Sequence, residues 1–205
     1  MNSDSEPPNV TDNQQGRLII ISGPSGAGKS TVVKTLLARS SLPLEMSISA
    51  TTRAPRTGEQ DGKNYFFLSK EEFFRRKNAG EFLECKEVFG RGDWYGTLNA
   101  VVSSGLNRGK WLILEIDVQG ALSILDRRGD PITIFVHPGS MEELEFRLRQ
   151  RGTETEAAIQ RRLEVAREEM AFRNRYKHQV INRDLDDAVD EICQLLKQYQ
   201  GDQTA

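Results

Sequence analysis

Four nearly continuous apolar runs punctuate the chain: Leu18 to Ile21, Leu112 to Ile116, Ile132 to Val136, and Val180 to Ile181. Runs that do not alternate with polar residues suit strands covered on both faces, the condition of a parallel sheet. Elsewhere the apolar period lengthens to that of a helix. Val32, Val33, Leu36 and Leu37 follow the first run, and Ile159, Leu163, Ala166 and Met170 recur at helical spacing. Leu185, Ala188, Val189, Ile192 and Leu196 do the same near the end. This strand–helix alternation predicts an α/β fold with a parallel sheet.

Two stretches break the pattern. From Ser47 to Val88, short strand-like pieces (Tyr65 to Leu68, Phe82 to Val88) mix with turn signals at Arg56-Thr57-Gly58 and Asp61-Gly62, which reads as a small subdomain inserted on the core. From Glu142 to Tyr176, arginine and glutamate recur at helical spacing. For most of these residues a solvated, salt-bridged helix face is the expected role.

Composition narrows the class. The 205 residues carry a formal net charge of −2, so no overall basic field draws in nucleic acid. No apolar run approaches the length of a membrane span. Met1 to Gly16 is polar, holds Pro7 and Pro8 and lacks the apolar core of a secretory signal; it reads as a disordered tail. Cys85 and Cys193 form no C-x-x-C pair, which fits reduced thiols in a cytoplasmic protein. The sequence is compatible with a monomer or a homo-oligomer.

Chemistry enters at Gly23-Pro24-Ser25-Gly26-Ala27-Gly28-Lys29-Ser30, which fits G-x-x-x-x-G-K-S between a strand and a helix. Glycines let the backbone turn its N–H groups inward, at a helix N-terminus that favours anions. Lys29 supplies a compact charge for the β- and γ-phosphates of ATP, and the Ser30 hydroxyl can ligate Mg²⁺. A GTPase would also need a guanine-reading N-K-x-D segment, and none is present. The loop alone leaves several kinds of phosphate chemistry open.

The segment Ser49-Ala50-Thr51-Thr52-Arg53-Ala54-Pro55-Arg56-Thr57-Gly58-Glu59, with Gly62-Lys63-Asn64-Tyr65, sharpens the reading. It closely resembles the S-x-T-T-R-x-P-R-x-G-E…G-x-x-Y signature of guanylate kinases. Glu81 to Glu84, Trp94 to Thr97, Leu114 to Gly120, Arg151 to Thr155 and Val180 to Asn182 follow in the family's order, so the resemblance runs from about Leu18 to Leu196. It implies a P-loop core (17–46, 98–141 and 177–200), an inserted GMP-binding subdomain (47–97) and a helical lid (142–176). Tails would occupy 1–16 and 201–205. The activity implied is transfer of the γ-phosphoryl group of ATP to GMP, and to dGMP, with Mg²⁺ and without nucleic-acid or membrane partners.

Several of these residues make chemical sense by themselves. Arg53 and Arg56 flank a proline, a stiff presentation of two guanidiniums to one dianionic phosphate. Tyr65 and Tyr95 offer hydroxyl donors on rigid rings. Guanine presents N1–H and N2–H₂ donors beside the O6 acceptor, and a carboxylate satisfies the donors. The resemblance implies that Glu84 and Asp117 meet that donor edge, while Ser49 and Thr97 meet O6 or N7. Asp117 has an alternative role in holding the metal with Ser30, directly or through water. The resemblance also gives Lys29, Arg53, Arg147, Arg151 and Arg162 to the transferring phosphates, Thr31 to the ATP loop, and Arg151 and Asn182 to adenine. Because the acceptor oxygen is already anionic, no general base is needed, and His137 and His178 are read as incidental. Two departures from the family pattern stand out: the stretch Gly90 to Tyr95 is about two residues longer than the family's, and Arg183 replaces a frequent acid. A sugar-phosphate kinase on the same scaffold and a non-catalytic binding module are the rival readings.

Overall fold

The computed structural model describes residues 16–88, 92–127, 130–150, 152 and 155–201. The stretch before Gly16, the residues after Gly201, and Gly90 and Arg91 of the long loop lie outside the described residues, as does Arg151.

Five strands form the core sheet: β1 (Leu18–Ser22), β2 (Leu44–Met46), β7 (Trp111–Glu115), β8 (Ile132–His137) and β9 (His178–Ile181). Their order is β2-β7-β1-β8-β9, and every pairing is parallel. The central strand alternates its isoleucines between two covered faces. Ile19 and Ile21 pack with helix α1 (Lys29–Arg39) through Val32, Val33 and Leu36, and with α7 (Leu185–Gly201) through Val189, Ile192 and Leu196. Ile20 faces the other layer, with Val102 of α3 (Asn99–Asn107) and Val118, Ala121 and Ile124 of α4 (Val118–Leu125). Burial on both faces explains why these strands read as apolar runs.

A second sheet, of mixed sense, has the order β4-β3-β6-β5: β3 (Ala50–Thr51), β4 (Phe66–Phe67), β5 (Phe82–Val88) and β6 (Asp93–Leu98). Helix α2 (Lys70–Asn78) covers it with Phe73, whose ring stacks on Phe82 at 4.4 Å between centroids. The Ser69 side chain accepts from the Glu72 N–H and caps that helix. Helices α5 (Met141–Gln150) and α6 (Glu156–Ala171) share a small core of their own, Leu144 and Leu148 against Ile159, Leu163 and Ala166.

All four apolar runs are strands of the core sheet. The fifth, β2, was not expected: its three residues are each half-buried, and no apolar run marks them. The strand expected over Tyr65 to Leu68 is only Phe66–Phe67, held to β3. Strand β6 and helix α2 were also missed, because one is an aromatic ribbon and the other shows only one buried side chain.

Candidate active site

The phosphate loop joins β1, the middle strand of the core, to α1. Two of its glycines are required by space as well as by backbone angle. Gly23, at φ 140°, lies against β8, where a Cβ would come within 2.0 Å of the Val136 carbonyl oxygen. Gly28, at φ 86°, would put a Cβ 2.6 Å from Asn182 Nδ2. The loop is tied by Ala27 N–H to the Pro24 carbonyl, and Thr31 opens the helix with its N–H on Gly28 O. Lys29 Nζ donates to the carbonyls of Gly23 (2.6 Å) and Pro24 (3.0 Å), so the ammonium closes its own loop. Burial lowers the Lys29 pKa, and Glu169, Glu115 and Asp117 act in the opposite sense.

Oxygen ligands suited to a hard divalent cation collect beside this loop. Ser30 Oγ lies 2.5 Å from Glu115 Oε1 at the end of β7. Asp117, two residues on, caps α4 by accepting from Gly120 N–H at 2.7 Å and pairs with Lys86 Nζ at 2.9 Å. A hydroxyl touching a carboxylate fits a cation that is also coordinated by phosphate oxygens. Among the described residues, no group of three or more His, Cys, Asp or Glu side chains could hold a metal by itself.

Next to these acids opens a cavity of about 350 Å³. Glu84, Lys86 and Tyr95 of the second sheet line it with Ser49 and Tyr65 just before β3 and β4, and Glu115 at the end of β7 lines it with Ile116 and Asp117 that follow. The spacing follows from strand geometry: Glu84 and Lys86 alternate onto one face of β5 and stand opposite Thr97 and Tyr95 of β6. Glu84 Oε1 accepts from the buried Thr97 hydroxyl at 2.7 Å. Burial raises the Glu84 pKa, partly offset by that hydrogen bond, and the Asp117 charge raises it further.

Of the two arginines expected to hold the acceptor phosphate, Arg53 is engaged within the protein. Arg53 Nε donates to Tyr95 Oη at 3.1 Å, and its NH2 reaches both Glu59 oxygens at 2.9 and 3.0 Å. The guanidinium also lies 5.6 Å from the Tyr65 ring centre. Arg56 is exposed, and its backbone N–H is fixed by Glu59 at 2.7 Å.

The residues expected in a lid are differently engaged. Arg147 pairs with Glu143 on its own helix and donates to the Arg183 carbonyl. Arg162 lies on α6. From the same helix, Glu169 accepts from the Ser25 N–H of the phosphate loop at 3.3 Å. Asn182 is buried, and its amide donates to the Ala27 carbonyl at 2.8 Å, so in this state it braces the loop from behind.

A two-part site, with a phosphate loop on one side and a carboxylate-lined pocket on the other, invites comparison with known proteins. A family model described as guanylate kinase matches residues 15–199. The chain belongs to the guanylate kinase family. It is 62% identical to a guanylate kinase of Rhodopirellula baltica over 88% of this chain and 87% of that one. It is 48% identical to one of Caldanaerobacter subterraneus, over 87% and 85%. A crystal structure of guanylate kinase from Anaplasma phagocytophilum superposes with a TM-score of 0.70 at 34% identity, covering 91% of this chain and 87% of that chain.

Within this guanylate kinase fold, three residues at the cleft were not singled out from sequence. Glu115 sits in the quoted Leu114-to-Gly120 motif, and its carboxylate interrupting an apolar run was a usable signal. Lys86 was detectable as the residue two along from Glu84 on a strand. Glu169 looked like any acid on a charged helix.

Proposed function

We propose that the cleft performs the family's reaction with ATP on the phosphate loop and GMP in the carboxylate-lined cavity, and that the residues named above divide the work between the two nucleotides. The chain transfers the γ-phosphoryl group of ATP to GMP, giving ADP and GDP. What carries the reading is Glu115, which lines the acceptor cavity and at the same time bonds Ser30 of the phosphate loop. One side chain borders both half-sites, as transfer between two bound nucleotides demands.

On the donor side, the loop N–H groups of Gly23 and of Ser25 to Thr31 and the Lys29 ammonium hold the ATP phosphates, with Pro24 shaping the turn and Glu169 giving up its contact to Ser25. Lys29 can exchange two loop carbonyls for phosphate oxygens at nearly the same place. A divalent cation, which we take to be Mg²⁺, would be held by Ser30 with Glu115 and, through water, Asp117; it supplies neutralisation of phosphate charge. On the acceptor side, Arg53 and Arg56 take the GMP phosphate with Tyr65 and Tyr95. Glu84 and Asp117 accept from guanine N1–H and N2–H₂, and Ser49 and Thr97 meet its other edge. Arg147, Arg151 and Arg162 close from the lid over the transferring group, with Asn182 beside adenine. In these terms 17–46, 98–141 and 177–200 form the core, 47–97 the acceptor unit and 142–176 the lid. Lid closure excludes water, so ATP is not spent without an acceptor. The free thiols Cys85 and Cys193 accord with a cytoplasmic setting.

The test is ADP release from ATP and Mg²⁺ over GMP, dGMP, AMP, CMP, UMP and sugar phosphates. GMP is expected to be the best acceptor, with dGMP next, since no residue assigned above contacts the ribose 2′ position. Failure of GMP to release ADP would overturn the reading.

A further inference from the structure

Two carboxylates converge on the base end of the acceptor cavity from different units of the fold. Glu84 comes from β5 of the second sheet, and Asp117 from the turn that opens α4 of the core. They meet over Gly120, where an added Cβ would lie 3.2 Å from Glu84 Oε2 and 3.3 Å from Asp117 Oδ1. A side chain at that point would press on both acids, which would have to give way slightly. Two like charges this close repel, and a cation standing beside them offsets that repulsion.

Lys86 is that cation. Its ammonium lies 2.9 Å from Asp117 Oδ2, and it shares the cavity face of β5 with Glu84. The bridge also crosses between the two units, tying the second sheet to the helix that Asp117 caps. The Lys86 charge acts on Glu84 as well, in the sense that favours its ionised form. Each Asp117 oxygen keeps acceptor capacity after its bond to Gly120 or to Lys86, because a carboxylate has about four lone-pair positions.

We propose that Lys86 is a specificity-determining, positioning residue for the acceptor base, pairing with Asp117 so that Glu84 and Asp117 both stay aimed at the donor edge of guanine. The proposal rests on the acceptor reading given above. Glu84 alone can take N1–H and one N2 hydrogen, and the second acid adds a reason to require the 2-amino group. Inosine monophosphate differs from GMP only in lacking that amine, so it isolates the contribution.

The experiment compares kcat/KM for GMP and inosine monophosphate in the full chain, its Lys86→Met variant and its Lys86→Arg variant, with the thermal midpoint of each as a folding control. The bridge is half-exposed, 45% at Lys86 and 40% at Asp117, so a modest effect is expected, about fivefold. Lys86→Met should cut the preference for GMP at least threefold, through a higher KM for GMP, while KM for ATP stays within twofold. Lys86→Arg, which keeps the charge, should hold the preference within threefold of the parent. A preference that is unchanged or rises in Lys86→Met overturns the proposal, and so does an equal fall in both variants. A parent chain that releases no ADP with GMP would instead remove the acceptor reading itself, a result distinct from any change at Lys86.

Discussion

Replacing Glu84 by glutamine separates what this acid does for the reaction from what it does for the fold. The amide keeps the size of the side chain and an oxygen to accept from Thr97 Oγ1, now 2.7 Å from the carboxylate. It presents guanine with one acceptor and one donor where two acceptors stood. One hydrogen bond to a charged acceptor is lost, about 1.5–3 kcal/mol, and one buried donor is left facing another, about 1–3 kcal/mol. Together these come to roughly 3–5 kcal/mol, or about 10²–10⁴-fold in kcat/KM for GMP. At the edge that residue 84 faces, adenine presents the N1 acceptor and a C2–H, and the glutamine N–H₂ can donate to N1, so AMP should lose far less and the GMP-to-AMP ratio should collapse. The fold responds in the opposite direction. Burial holds the Glu84 pKa above its usual value, so the ionised acid is a burden on the folded chain at neutral pH. The glutamine variant should therefore melt at the same temperature as the parent or higher. Coupled ADP release with GMP and AMP, beside thermal melts, reads both effects. If kcat/KM for GMP stays within threefold of the parent, or if both acceptors fall together with the melting temperature, the assignment of Glu84 to the base edge is wrong.

The same acid predicts a pH profile. GMP use should fall as pH drops through the raised Glu84 pKa, earlier than an exposed carboxylate would allow, and this limb should vanish in Glu84→Gln. Its contribution to stability runs the other way, present in full below the unfolded pKa and lost as pH rises through the folded one, which melts over the acid range can detect. Arg56→Ala should raise KM for GMP about tenfold and leave melting unchanged, because the exposed side chain is removed while its backbone N–H still bonds Glu59. Asn182→Ala strands the buried Ala27 carbonyl, so it should cost about 1–3 kcal/mol of stability and raise KM for ATP more than KM for GMP. Equal effects on both nucleotides would argue that Asn182 supports the whole core and not the loop in particular.

How far the sequence could be read depended on how locally each feature is encoded. Strands β1, β7 and β8 were legible because burial on both faces leaves apolar runs, as in Ile19, Ile20 and Ile21. Edge strand β2 was not, since Leu44, Glu45 and Met46 are each only half covered and its pairing with β7 is a tertiary choice. The cap of α2 was present in Ser69 and Glu72, yet one buried residue, Phe73, gave no period to read. The phosphate loop is contiguous and could be read entire. The acceptor pocket was legible through its motifs, but relations among its members were not. That Glu115 touches Ser30, that Lys86 meets Asp117 and that Glu169 reaches Ser25 follow only from the packing of distant segments. Asn182 shows the same limit: nothing near it in sequence points to the carbonyl of Ala27.

The strand order has a consequence for synthesis. The strand that launches the phosphate loop leaves the ribosome early, but its neighbours in the sheet are β7, where Leu18 faces Leu112, and β8, where Ile19 faces Ile132. Until those segments emerge the loop has no strand to stand on, and its brace at Asn182 arrives later still. Pairings this far apart in the chain form slowly and close together in time. A nascent chain therefore gains its hold on ATP only after all of these segments have emerged, and nucleotide binding by arrested chains of increasing length should switch on once residues past Asn182 have cleared the exit tunnel.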